Sequence, residues 1–254
     1  MLKSDKNFIR YYDLIYSKKE YNSEIDYIVK CAKKYGIKTT GKLLDVGCGT
    51  GNHTINFSQN GYDITGIDID DLMINAAIEK AKLLNQKISF KKEDITNAVF
   101  DSKFDVIYSW FFVINYIDDL YYLNEFFKGI SRNLNNPGIY LFDTWNSNAT
   151  SSDPPKLKTI NIDNSDSLYI NGSLNPNFDT IDNTALFHYK FEINDNKNIS
   201  NFENKIKQIY WNPYVLKQLL NNSGFTEIYV YKYLTLDSNI TKDDYKISWI
   251  CVKR

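Results

Sequence analysis

Cysteine, proline and histidine are scarce: 254 residues hold 3, 5 and 2 of them. Cys31, Cys48 and Cys251 are odd in number and far apart, which argues against a disulfide framework and a zinc site and for a reducing, cytoplasmic setting. An excess of one charge is also lacking. With 30 Lys and Arg against 31 Asp and Glu, and no basic run of the kind a nucleic-acid groove needs, nucleic acid is not an expected partner. No apolar run approaches the roughly 20 residues that span a bilayer, and Met1 to Arg10 is polar and charged, so neither membrane insertion nor export is expected. Tyrosine is abundant, with 20 copies, most of which must simply pack or snorkel.

The length suffices for a full α/β core. Strand and helix patterns alternate from about Lys42 to Trp145, the mark of parallel βαβ units with helices on both sheet faces. Asp71 to Leu84 and Asp118 to Leu134 carry helical spacing, and Pro137-Gly138 stops the second and launches the strand Ile139 to Asp143. From 146 to 211 the pattern changes. Ala185 to Ile193 and Ile199 to Tyr210 flank an Asn-rich turn and read as an inserted antiparallel hairpin layer. Asn212 then caps a helix with Pro213 in its first turn, and strands over Thr226 to Leu234 and Lys246 to Val252 follow. Four regions result: an N-terminal helical segment 1–40, a Rossmann-like core 41–145, the inserted layer 146–211 and a completion of the core sheet 212–254.

The chemistry concentrates at strand ends. Leu43-Leu44-Asp45-Val46 runs into Gly47, Cys48, Gly49, Thr50, Gly51, Asn52 and His53, a glycine loop of the kind that lets a ligand approach the backbone. It matches neither the G-x-G-x-x-G fingerprint nor a P-loop. A second strand, Asp63 to Asp68, ends in a carboxylate about 20 residues on, where nucleoside-binding α/β folds place a ribose-binding acid. A third, Ile88 to Lys92, is followed by Glu93-Asp94-Ile95, and a fourth, Phe104 to Trp110, runs into Phe111-Phe112-Val113-Ile114-Asn115-Tyr116.

This ordered set resembles the class I S-adenosylmethionine (SAM) methyltransferases. The opening Tyr11-Tyr12-Asp13-Leu14-Ile15-Tyr16…Glu20-Tyr21, the His53 of the loop, Ile114-x-Tyr116, Asp143-x-Trp145 and the pair His188-Tyr189 look most like the N,N-dimethyltransferases that act on nucleotide-linked amino sugars. Asn115 stands where those relatives favour Gly, and Asp143-Thr144 where they carry Glu-Pro. The resemblance implies a seven-stranded, mostly parallel Rossmann-like sheet with the antiparallel layer over the active site, and a lid from the N-terminal segment. It implies cofactor contacts from Tyr12, Asp45, Gly47, Cys48, Gly49, Gly51, His53, Asp68, Ile69, Asp94, Ile95 and Trp110, with Asp68 on the ribose and Asp94 on the adenine amino group. Tyr16, Tyr116, Trp145 and His188 are the implied substrate contacts.

SAM carries a good leaving group, so such an enzyme mainly holds a lone pair in line with the methyl and excludes water; no metal is needed. An amine acceptor must be bound neutral or give its proton to a base, and His188 is the candidate base, with Tyr12 as a second catalytic group. The expected reaction is N-methylation of a small molecule, an amino sugar on a nucleotide carrier. The alternatives are O-methylation of a metabolite hydroxyl and, remotely, non-catalytic SAM binding; a homodimer is open.

Overall fold

Alternating apolar and polar segments build a seven-stranded sheet and a separate four-stranded one. The computed structural model describes residues 6–165, 168–196 and 198–254; Met1 to Asp5 of the expected lid and Lys197 of the expected hairpin turn lie outside them. In chain order the first half comprises helices α1 (Lys6–Ile15) and α2 (Tyr21–Lys34), strand β1 (Lys42–Val46), α3 (Asn52–Gln59), β2 (Asp63–Asp68), α4 (Asp71–Leu83), β3 (Ser89–Lys92) and β4 (Phe104–Ser109). A 3-10 turn (Val113–Tyr116), α5 (Leu120–Asn133), β5 (Leu134–Trp145) and the short α6 (Ser147–Ser152) follow. The second half holds β6 (Lys158–Ser165), β7 (Leu168–Asp179), β8 (Thr184–Asp195), β9 (Asn198–Ile209), α7 (Pro213–Asn222), β10 (Glu227–Lys232) and β11 (Lys246–Lys253).

The large sheet runs β10-β11-β5-β4-β1-β2-β3, with β1 to β5 parallel and β11 antiparallel to both its neighbours. Strands β1 and β4 are covered on both faces, which is why Leu43-Leu44 and Val106-Ile107-Tyr108 read as continuous apolar runs. Side-chain caps fix where helices begin: Asp70 accepts from Leu72 N at 2.8 Å, Asp119 from Tyr122 N at 2.6 Å and Asn212 from Tyr214 N at 2.8 Å. Strand order reverses between β1 and β4, so a crevice opens at their C-terminal ends. No helix among the described residues is long and apolar enough to cross a membrane.

The second sheet, in order β6-β7-β8-β9, is antiparallel throughout. The sequence shows two of its strands; β6 and β7 escape because Asn, Ser, Gly172 and Pro176 blunt their alternation. Along β8, Ala185, Phe187, Tyr189, Phe191 and Ile193 are buried on one face, against Phe8 and Tyr11 of α1. Segment 1–40 therefore divides in two. Helix α1 packs on the antiparallel layer, whereas Ile25, Tyr27, Ile28, Cys31 and Ala32 of α2 belong to the core of the large sheet.

Candidate active site

The turn after β1 is shaped by glycine. Gly47 sits at φ +78° and Gly49 at +54°, left-handed values that strain any residue with a Cβ. A Cβ on Gly47 would lie 2.7 Å from Val113, but one on Gly49 would meet nothing nearer than Met73 Sδ at 4.0 Å. The loop is thus closed beneath and open above Gly49. Gly49 N donates to Asp68 Oδ2 at 2.8 Å and Asp70 N to Asp68 Oδ1 at 2.9 Å. The Ile69 amide is a third backbone donor to this carboxylate, which with about four lone-pair sites keeps room to accept a ligand hydroxyl. Burial raises the pKa of Asp68, opposed by those backbone donors. Beside it Ile69 leaves 39% of its surface exposed. Asp94, just past β3, takes Thr96 N at 2.9 Å on Oδ1 and the Tyr122 hydroxyl at 2.9 Å on Oδ2. An open glycine backbone, a carboxylate with acceptor capacity to spare and an exposed apolar side chain together fit the nucleoside and amino-acid ends of SAM.

Other expected cofactor residues point inward. Asp45 is buried and bonded by Thr54 Oγ1 at 2.6 Å; burial, offset by His53 and Thr54, leaves its carboxyl raised to about 6. His53 Nε2 lies 2.6 Å from Glu24 Oε2 and ties α2 to the helix after the glycine loop. Burial works against ionised Glu24, yet His53 and Lys19 outweigh it and hold the carboxyl at about 2. Cys48 fills space among Ile55, Ile74, Ala77 and Phe90, with its thiol pKa raised by burial. Ile95 is buried against the α5 side of the sheet. Trp110 donates its indole N–H to the Tyr233 hydroxyl at 3.3 Å on the α2 side. For Cys48, His53, Ile95 and Trp110, a cofactor contact would come from the backbone.

Helix α1 is fastened at both sides. Asp13 accepts from Thr50 Oγ1 at 2.6 Å and Asn52 Nδ2 at 2.9 Å and pairs with Lys80, while Arg10 and the Tyr11 hydroxyl reach Asp195 Oδ2 at 2.8 and 3.0 Å. The helix thereby links the glycine loop to the antiparallel layer. Nothing beyond the opening motif marked Asp13 in the sequence.

Between α1, the 3-10 turn and the layer stands an aromatic wall. Tyr12 and Tyr16 have ring centroids 4.8 Å apart, Tyr16 meets Phe111 edge-on at 5.1 Å, and Tyr16 bonds Tyr189. Trp145 lies flat on Phe112 at 4.2 Å and donates to Gln208 Oε1 at 2.9 Å, and Gln208 in turn bonds Tyr116. Tyr116 keeps 45% of its surface exposed, while the atoms packed around its hydroxyl raise its pKa. Burial raises the hydroxyls of Tyr12, Tyr16 and Tyr189 as well. These phenols stay protonated near neutral pH; they hydrogen-bond and do not act as bases.

His188 requires a correction. Successive side chains of a strand point to opposite faces, and the buried face of β8 is that of Tyr189. His188 projects to the other face, against Glu203, which Lys190 also contacts at 3.1 Å. Tyr189, not His188, looks toward Tyr16. Sequence alternation alone does not say which member of the pair faces inward.

Below the wall the chain is strained. Phe111 (φ +75°) and Phe112 (φ +62°) are consecutive non-glycine residues in the left-handed region, costing about 1–3 kcal/mol each. Asp143 Oδ1 accepts the Phe112 N–H at 2.8 Å. A neutral hydrogen bond returns only about 0.5–1.5 kcal/mol, a charged one about 1.5–3. Asp143 Oδ2 is buried without a hydrogen-bond partner among the described residues. Burial drives this carboxyl up to about 7, with Glu24 adding to the rise and the Phe112 N–H, Lys19 and Lys246 opposing it.

Residues 43–138 match a family model described as a methyltransferase domain. A putative methyltransferase of Geobacillus sp. (strain WCH70) is 28% identical over 138 residues, 54% of this chain and 56% of the relative, so the match spans little more than half of each. A SAM-dependent methyltransferase from Clostridium acetobutylicum superposes with TM-score 0.81 at 21% identity, covering 96% of both chains. The sugar N-methyltransferase KedS8 from Streptoalloteichus sp. gives TM-score 0.80 at 17% identity over 100% of this chain and 94% of its own. Residues 43–138 thus match a methyltransferase domain, and the chain as a whole has the α/β fold of these solved methyltransferases.

Proposed function

We propose that the chain transfers a methyl group from SAM to the amino group of a small molecule, an amino sugar on a nucleotide carrier. The observation that carries this reading is the wall of protonated phenols, Tyr12, Tyr16, Tyr116 and Tyr189, beside the open glycine loop, with no base on the inward face of β8. The likeness to a sugar N-methyltransferase supports it.

SAM supplies an electrophilic methyl on a sulfonium; the protein supplies placement. Asp68 accepts the ribose hydroxyls, Asp94 takes the adenine amino group, and the loop Gly47 to Gly51 receives the methionine end. Helix α1, held by Asp13, closes Tyr12 and Tyr16 over the crevice and keeps water out. Trp145 and Tyr116 form the acceptor's wall. An amine that arrives neutral already carries its lone pair and needs no protein base, whereas a hydroxyl would need one, and none stands on the inward face of β8. Aromatic faces also favour the positive charge that develops on nitrogen.

The test is mass spectrometry after incubation with SAM and nucleotide-linked sugars, each in amino and hydroxy form. Gain of one or two methyl masses on amino forms alone is expected. Transfer to hydroxy forms alone, or to neither, would overturn the assignment of the acceptor.

A further inference from the structure

We propose that Asp143 is a positioning residue for methyl transfer: its ionised carboxylate holds the Phe111–Phe112 turn and, through it, sets the Phe112–Trp145 wall of the acceptor pocket. Three independent features of the structure converge on it. Two successive left-handed non-glycine residues persist only where the surroundings over-determine them, and Asp143 supplies the bond to the Phe112 amide, at 2.8 Å. Phe112 is stacked on Trp145 with ring planes 3° from parallel, so a shift of that amide carries the wall with it. The second carboxylate oxygen is buried and has no hydrogen-bond partner among the described residues, an expensive state that calls for a compensating role.

The charge has a setting of its own. Lys246 Nζ lies over Phe112 and Trp145 at 5.3 and 5.8 Å, and Lys19 Nζ over Phe111 at 4.5 Å, so each lysine touches the turn or its stacked partner. The charged groups acting on Asp143 are Lys19 just before α2, Glu24 in its first turn and Lys246 from β11; Tyr233 just past β10, Tyr116 and Tyr140 sense its charge. The two lysines favour the ionised carboxylate, and burial and Glu24 oppose it. Balanced this way, the carboxyl is raised to about 7, within reach of an ordinary titration. A neutral Asp143 is a weaker acceptor for Phe112 N–H, and the turn loses part of its hold. Because it concerns the wall and not the acceptor, this role stands whichever group is methylated.

A substrate-free test follows. Protein labelled with 5-fluorotryptophan gives four ¹⁹F resonances, one for each tryptophan, and Trp145→Phe identifies the one under study. In the wild type the Trp145 resonance should move between pH 5.5 and 8.5 with a midpoint near 7, as expected from Asp143. Asp143→Asn keeps an acceptor oxygen but no charge, and should abolish that titration. Lys246→Met removes a favourable cation and should move the midpoint upward, which keeps the idea testable if Asp143→Asn does not fold. A Trp145 resonance that is invariant in the wild type, titrates unchanged in Asp143→Asn, or keeps its midpoint in Lys246→Met overturns the proposal.

Discussion

Replacing Asp68 by Asn separates cofactor recognition from folding. As proposed, the carboxylate accepts two ribose hydroxyls while already holding Gly49 N and Asp70 N at 2.8 and 2.9 Å. Asn keeps one acceptor oxygen, so one hydroxyl loses its acceptor and the other loses its charged partner. With charge-assisted hydrogen bonds at about 1.5–3 kcal/mol and neutral ones at about 0.5–1.5, the loss on binding is about 2–4 kcal/mol. At about 1.4 kcal/mol per decade, affinity falls by about 30- to 1000-fold. One backbone N–H also loses its acceptor, which costs the apo fold about 1 kcal/mol, or about 2–4 °C of Tm. Calorimetry with S-adenosylhomocysteine and a melting curve of the apo protein read the two effects separately. A Kd within threefold of wild type, in a variant that melts normally, would refute the role given to Asp68.

Adjacent residues of β8 should behave oppositely in urea unfolding. His188→Ala, on the outer face, should change stability by no more than about 0.5 kcal/mol, whereas Tyr189→Ala, buried against α1, should cost about 3–4 kcal/mol; equal effects would refute the strand's orientation. Stability should also depend on pH with a maximum. Asp45 and Asp143, raised to about 6 and about 7, bind protons in the folded chain that the unfolded chain releases above about 4, so Tm should rise as pH falls from 8 toward 5. Glu24, lowered to about 2, acts the other way: its contribution is full above about 4.3 and is lost as pH falls toward 2. A Tm that only declines from pH 8 downward would contradict the raised carboxyls.

The parts of this fold that could be read in advance are those a single segment decides. The glycine loop, Asp68 and Asp94 follow from strands that end where their apolar runs end, and parallel pairing then places the strand ends side by side. The Asn212-Pro213 helix start is equally local. Other features depend on partners far off in sequence. The inward face of β8 is set by its burial on α1, and the pair His188-Tyr189 carries no mark of it. Strands β6 and β7 are held by pairing with β8 rather than by their own composition. Asp143 reads as an ordinary strand residue; its charge state emerges only when α2 and β11 bring Glu24 and Lys246 around it and Lys19 joins them from just before α2.

Helix α1 is anchored to the glycine loop through Asp13 and to the antiparallel layer through Arg10 and Tyr11. On the proposed reading this one helix touches both binding regions and so can couple them, and by linkage whatever factor a bound cofactor would add to acceptor affinity, the acceptor would return to the cofactor. If the proposed sites are as assigned, a helix of 10 residues would join them into one unit, and the order of ligand entry and exit would depend on its two anchor points.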